Sequence, residues 1–259
     1  EMDADSKEDL LLNVTSEIDE ELAAKVKSHP EFAGMGTTLT ALFLNGDDAE
    51  VLHVGDSRCY YIKGKKLEQL SHDHTVIQEL LDQGRLKPEE VADHPQRSLL
   101  TQVLMGSSQI HPMLFVKEVK PGDIIVHLGD LFDNRNIIPI NLLNYGMDVV
   151  EEISKIAPLH IIIGNHDLWS KSASEINSVR PFRYIPNVKV YNSTEVLEYN
   201  GLKILMMPFF EKRLDQIKAI DDNKNCDYLF CHSDLNGCKM HLTSVAHKNA
   251  DKIDISDFR

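Results

Sequence analysis

The chain has 259 residues, 42% of them hydrophobic, which is enough for one large or two small cores. Its formal charge of −14 excludes a broad nucleic-acid-binding surface, because neutralising phosphates takes clustered Lys and Arg. Cys59, Cys226, Cys231 and Cys238 do not form Cys-x2-Cys pairs, which excludes a disulfide scaffold and leaves reduced thiols as the expectation. No apolar run reaches the length of a membrane span, and the acidic start Glu1-Met2-Asp3-Ala4-Asp5 is unlike a signal peptide. A cytoplasmic chain with no membrane partner is expected.

In chain order, Leu11, Val14, Ile18, Leu22 and Val26 recur at intervals of three and four and predict an amphipathic helix over 6–28, capped near Ser6 and Asp9. Strands at about 36–44, 50–55, 58–63 and 67–70 follow, separated by the turns Asn45-Gly46-Asp47 and Lys63-Gly64-Lys65, and read as an antiparallel meander. Helices are expected at 75–83, from Pro88, and at 97–105, then a strand over 114–119 and the turn Lys120-Pro121-Gly122-Asp123. From Ile124 the pattern changes. Buried-type strands at Ile124–Leu128, Leu159–Ile163, Lys203–Met207 and Tyr228–Cys231 alternate with helices at about 138–157, 172–178 and 211–220, the pattern of an α/β unit.

Gly34-Met35-Gly36-Thr37-Thr38-Leu39, His53-Val54-Gly55-Asp56-Ser57-Arg58, Asp73-His74-Thr75 and His94-Pro95-Gln96-Arg97 occur in order. This series resembles the bacterial branch of the type 2C metal-dependent Ser/Thr protein phosphatases. The resemblance implies a sheet sandwich in which divalent ions activate water against phosphoserine or phosphothreonine. It also implies a mobile flap around 75–100, an accessory-ion role for Asp73, and a structural or ion-proximal role for Asp56. The family's early Asp-Gly-x-Gly-Gly segment and late Asp-Asn pair are absent from this sequence. The plain alternative is an ion pair or turn bond between Asp56 and Arg58.

The second half carries Gly129-Asp130-Leu131-Phe132-Asp133-Asn134-Arg135, then Gly164-Asn165-His166-Asp167, then Cys231-His232-Ser233-Asp234, each after an expected buried strand. Polar residues are thereby placed at strand C-termini, where open α/β sheets bind ligands. The series resembles the calcineurin-like metallophosphoesterases. Leu168-Trp169, Met207-Pro208 and His232-Ser233-Asp234-Leu235-Asn236-Gly237 are similar to the DNA repair and recombination exonuclease-subunit branch. That resemblance implies Mn2+ or Mg2+ as cofactor, with Asp130, Asn165 and His232 as metal ligands. It further implies that His166 stabilises or protonates the leaving oxygen with Asp167 orienting it, and that Asn165 and Arg135 contact the substrate phosphate. The superfamily's Asp-x-His and Gly-His-x-His are not found, so one ion and weak or absent activity are expected. His241 and His247 are candidates to complete the shell, and His72-Asp73-His74 is a more remote donor better read as a surface loop.

Asp130 lies seven residues beyond Asp123, where the type 2C family also places a metal-binding aspartate, so both resemblances meet on it. The expected fold class is α/β (α+β), with four-layer α-β-β-α sandwich elements, antiparallel in the N-terminal half and mixed in the C-terminal half. The expected parts are 1–123 and 124–259, a recombined chain with sheet edges open to self-association. The function expected is metal-dependent phosphoester hydrolysis on a phosphodiester or DNA end. The alternatives are a type 2C Ser/Thr phosphatase acting on phosphoprotein and an inactive scaffold.

Overall fold

The structure is a computed structural model describing residues 4–45, 48–91, 94–106, 110–132, 134, 136–170, 174–234, 239–241, 244–245 and 254. It divides into two compact units, Glu1–Val119 and Lys120–Arg259. The fold class is α/β, as the sequence predicts, with helices and sheets mixed in both units.

The first unit opens with helix α1 (Ala4–Ser28). Its start precedes Ser6 and Asp9, so neither caps it. Leu11, Thr15 and Asp19, spaced by four, form its buried face at 7%, 0% and 3% exposure. Strands β1 (Leu39–Asn45) and β2 (Asp48–Val54) form an antiparallel hairpin in the register Leu39↔Val54 to Asn45↔Asp48. The expected meander stops there. Gly55 takes φ +107, and the chain leaves the sheet to make a separate hairpin, β3 (Tyr60–Lys63) with β4 (Lys66–Gln69). The vacated edge of β2 is taken by β5 (Met113–Glu118), paired from Asp48↔Glu118 to His53↔Met113. Helix α2 (Val76–Asp82) starts where Thr75 Oγ1 accepts the Gln78 N–H at 3.1 Å. Residues 97–105 do not form the expected helix. Their backbone groups pair across the fold instead: Thr101 N–H donates to His74 O, and Leu104 and Thr37 exchange both bonds.

Among the described residues the second unit contains two three-stranded sheets and one two-stranded sheet. In the first, β6 (Ile125–His127), β7 (Leu159–Ile162) and β8 (Val188–Tyr191) run parallel in the order β6-β7-β8, with α3 (Ile140–Ile156) as the crossover from β6 to β7. In the second, β10 (Leu202–Met207) lies between β9 (Glu195–Tyr199), antiparallel, and β11 (Tyr228–Cys231), parallel, with α4 (Arg213–Asp221) bridging β10 and β11. Short strands β12 (Lys239–His241) and β13 (Ser244–Val245) pair beyond them. The core gathers Phe132, Val150, Leu159, Ile161, Ile163, Leu168, Val179 and Phe182. Residues 174–178 are not the expected helix. Trp169 N–H donates to Ile176 O and Leu168 bridges Asn177, so this stretch folds back on the 168–169 segment. A short 3-10 turn, Arg180–Tyr184, follows. Phe209 N–H donates to Ile163 O at 2.9 Å and His232 N–H to Met207 O at 3.2 Å, which ties the ends of β7, β10 and β11 together. Among the described residues no helix is long and apolar enough to cross a membrane.

Candidate metal centre

In the second unit the loops after β6, β7 and β11 bring together three side chains that the sequence nominates. His232 Nε2 stands 2.9 Å from Asn165 Oδ1 and 3.4 Å from Asp130 Oδ2. The other ring nitrogen, Nδ1, is 2.8 Å from the Leu128 carbonyl oxygen, which can only accept. In the neutral imidazole the proton therefore sits on Nδ1, and Nε2 turns a lone pair towards two oxygen acceptors. A carboxylate oxygen, an amide oxygen and an imidazole nitrogen thus converge, which is the donor set of a cation site. Ligands 2.0–2.1 Å from one octahedral ion stand about 3 Å apart, so the observed spacings fit a single Mg2+- or Mn2+-sized ion. The side chains of His232 and Asp130 are 22% and 33% exposed, so the cluster is open to solvent on one side. Among the described residues no three His, Cys, Asp or Glu side chains form a metal group, and the cluster depends on the Asn165 amide.

The loop that carries Asp130 is held from below. Asp130 is a non-glycine residue at φ 57, and its N–H donates to Asp167 Oδ2 at 2.8 Å. Asp167, fully buried, also accepts from Gly164 N at 2.9 Å, Leu131 N at 3.0 Å and Ser178 Oγ at 3.2 Å. Its two oxygens hold the Asp130 and Asn165 loops together. His166 donates its backbone N–H to Asp130 Oδ1 at 2.8 Å, which leaves Oδ2 to face His232. The backbones come so close that Gly129 and Gly164 are required: a Cβ on Gly129 would meet His232 Nδ1 at 2.6 Å, and one on Gly164 would meet Asp130 N at 2.5 Å. The Phe209 ring stands edge-on to the His232 ring at 6.3 Å.

His127, Leu128 O and Ser178 were not singled out from the sequence. His127 ends β6, and its Nδ1 accepts the Gly129 N–H at 3.3 Å. Burial lowers its pKa against the opposing pull of Asp167 and Asp130, which keeps the ring neutral beside the cluster. The two glycines flanking the Asp and Asn motifs were the available signal for such close packing. A carbonyl partner has no sequence signature at all.

The remaining nominated residues are placed as follows. Arg135, Asp133 and His247 lie outside the described residues, as does the His241 side chain. In the first unit Asp73 is buried at 7% and receives Arg58 Nε at 2.9 and 3.0 Å, Arg58 Nη2 at 2.5 Å and Gln69 Nε2 at 2.9 Å. The Arg58 ion pair is therefore with Asp73, fifteen residues away, where the sequence reading had paired it with Asp56. Asp56 is exposed in the turn after Gly55. His72 pairs with Asp82 at 2.7 Å on the surface. His74 Nδ1 accepts the Gly55 N–H at 3.1 Å, and burial lowers the pKa of His74 and of its ring neighbour His53.

A family model for calcineurin-like phosphoesterases matches residues 93–253. The chain belongs to that family. A second model, for protein phosphatase 2C, matches residues 1–80 of this calcineurin-like phosphoesterase. The Ser/Thr protein phosphatase PstP of Mycobacterium tuberculosis (strain CDC 1551 / Oshkosh) is 43% identical over 102 residues, 39% of this chain and 20% of PstP. Protein phosphatase PhpP of Streptococcus pneumoniae serotype 2 is 34% identical over 118 residues, 46% of this chain and 48% of PhpP. A crystal structure of the PstP catalytic domain in complex with two manganese ions is 36% identical, covering 40% of this chain and 42% of that one, with a TM-score of 0.36. The chain spans about half or less of the length of these relatives. Both matched families are divalent-cation phosphoester hydrolases, in line with the Mn2+ or Mg2+ that the resemblance implies.

Proposed function

We propose that the chain is a metal-dependent phosphoester hydrolase whose centre is the Asp130, Asn165 and His232 cluster. The observation that carries this is the meeting of Asp130 Oδ2 and Asn165 Oδ1 at His232 Nε2, at 3.4 and 2.9 Å. Bound there, a single divalent cation supplies Lewis-acid polarisation of a phosphoryl oxygen and a lowered pKa for water. Three donors from the chain leave positions open for water and substrate. Asn165 offers its NH2 group to a phosphoryl oxygen while its carbonyl oxygen faces His232. His166, whose backbone is fixed to Asp130 Oδ1, is the residue that the resemblance assigns to donate a proton to a leaving oxygen. Asp167 supports this by holding both loops. The free thiols Cys59, Cys226 and Cys231 support a reducing, cytoplasmic setting.

A second reading, Ser/Thr protein phosphatase of type 2C, is favoured by the likeness of the first unit to PstP and PhpP. These relatives support phosphoprotein as the substrate class over a phosphodiester or DNA end. Both readings need Asp130. Hydrolysis of bis(p-nitrophenyl) phosphate and of a phosphothreonine peptide in Mn2+ separates them. Asp130→Asn is expected to abolish either activity, and Asn165→Ala to abolish that of the C-terminal centre. Loss with Asp73→Ala while Asn165→Ala remains active would transfer the function to the type 2C reading.

A further inference from the structure

The His232 loop is tied down by a residue with no place in the metal-ligand set. Gln216, on α4, is 1% exposed. Its Oε1 accepts the Ser233 hydroxyl at 2.5 Å, and its Nε2 donates to the Phe210 carbonyl at 3.0 Å. Ser233 follows His232 directly. Phe210 follows Phe209, whose ring stands against the His232 imidazole and whose N–H holds Ile163 O, two residues before Asn165. One buried amide, satisfied at both ends, therefore links the loops after β10 and β11, and through Phe209 reaches the end of β7. A buried position on a helix normally takes an apolar side chain, and a polar one there is retained only with its bonds made.

We infer that Gln216 is a positioning residue that, through Ser233 and Phe210, holds the His232 imidazole with Nδ1–H on Leu128 O and Nε2 facing Asn165 and Asp130. This rests on the metal-centre reading for its functional meaning, while its structural content stands without metal. Without the Gln216 link the 231–234 loop is free to turn, the Leu128 bond is shared with solvent, and the ring samples both tautomers. Outer partners of metal ligands typically change affinity about 10- to 100-fold.

The test uses the full chain, with Gln216→Leu, which keeps the side-chain volume, and Ser233→Ala, which cuts the same link from its accessible end. Two readouts are taken well below the melting temperature. Long-range 1H–15N correlation on the metal-free protein reports the His232 tautomer, and calorimetry with Mn2+ reports affinity. The expected result is one Nδ1–H tautomer in the wild type and a mixture in both variants, with Mn2+ affinity at least 10-fold lower and circular dichroism unchanged. A purely structural Gln216 would lower the melting temperature and leave both readouts as in the wild type, and that result overturns the inference. Should Gln216→Leu fail to fold, Ser233→Ala decides alone. Failure of the wild type to bind Mn2+ would sink the metal-centre reading, and the tautomer measurement would still decide the role of Gln216.

Discussion

Asp130 sits at φ 57, a region that Asp and Asn tolerate better than other side-chain-bearing residues because their short polar groups bond locally. This makes Asp130→Asn a clean probe: it keeps the backbone preference and removes the charge. Gly164→Ala probes the same place sterically, since the added Cβ would fall 2.5 Å from Asp130 N and against its carboxylate. Displacement of Asp130 is expected, with a cost of about 1–3 kcal/mol by denaturant melt and loss of Mn2+ binding by calorimetry. Retained binding with unchanged stability would contradict the packing described. Asp167→Ala strands the N–H groups of Asp130, Leu131 and Gly164. A loss of about 3 kcal/mol or more is expected in the same melt. The convergence of Asp130, Asn165 and His232 was legible because each follows a buried-type strand in a motif series that resembles the calcineurin-like one. The Arg58–Asp73 pair was not legible, since a residue two positions away is the obvious partner on paper and only the fold brings Asp73 to Arg58.

At the scale of elements, β7 and β10 were legible because nearly all their side chains are buried, and α3 because one apolar face packs on the core, whereas the apolar stripe that located α1 is not its buried face of Leu11, Thr15 and Asp19. The stretches 97–105 and 174–178 read as helical, yet their backbone groups are claimed by partners far along the chain, information that no local pattern contains. The replacement of β3 by β5 beside β2 is of the same kind. Helix α1 is anchored by Asp19 Oδ1, which accepts Met105 N at 2.8 Å and Gly106 N at 2.7 Å. Gly106 lies so close to the helix that a Cβ there would stand 2.6 Å from Ala23 Cα. Asp19→Ala leaves two N–H groups without their acceptor, and about 2–3 kcal/mol of stability should be lost. A change below about 0.5 kcal/mol, the range of ordinary surface substitutions, would show that α1 does not depend on this anchor.

For the whole molecule, burial lowers the pKa of His53, His74, His127 and His160. Below the unfolded histidine pKa of about 6.5 the unfolded chain takes up protons that the native chain resists. Stability is therefore complete above that pH and falls as the pH drops through and below it. A melting temperature lower at pH 5.5 than at pH 8 is expected, and an equal or higher one would contradict the burial of these rings. The outer strands of the β1-β2-β5 sheet expose Leu42, Phe43 and Val116, at 39%, 37% and 59%. Such edges pair with other chains, and a charge on the strand discourages it. Sedimentation velocity should show concentration-dependent association that Val116→Lys reduces, and a monodisperse monomer would remove this expectation.

The proposal as a whole rests on one cluster of three donors, so Mn2+ calorimetry on the purified full chain, with Asp130→Asn alongside, tests it most directly. The account expects saturable binding of one ion in the wild type and none in the variant. Binding that is absent from a folded wild type, or that persists unchanged in Asp130→Asn, would contradict the metal centre and the function built on it.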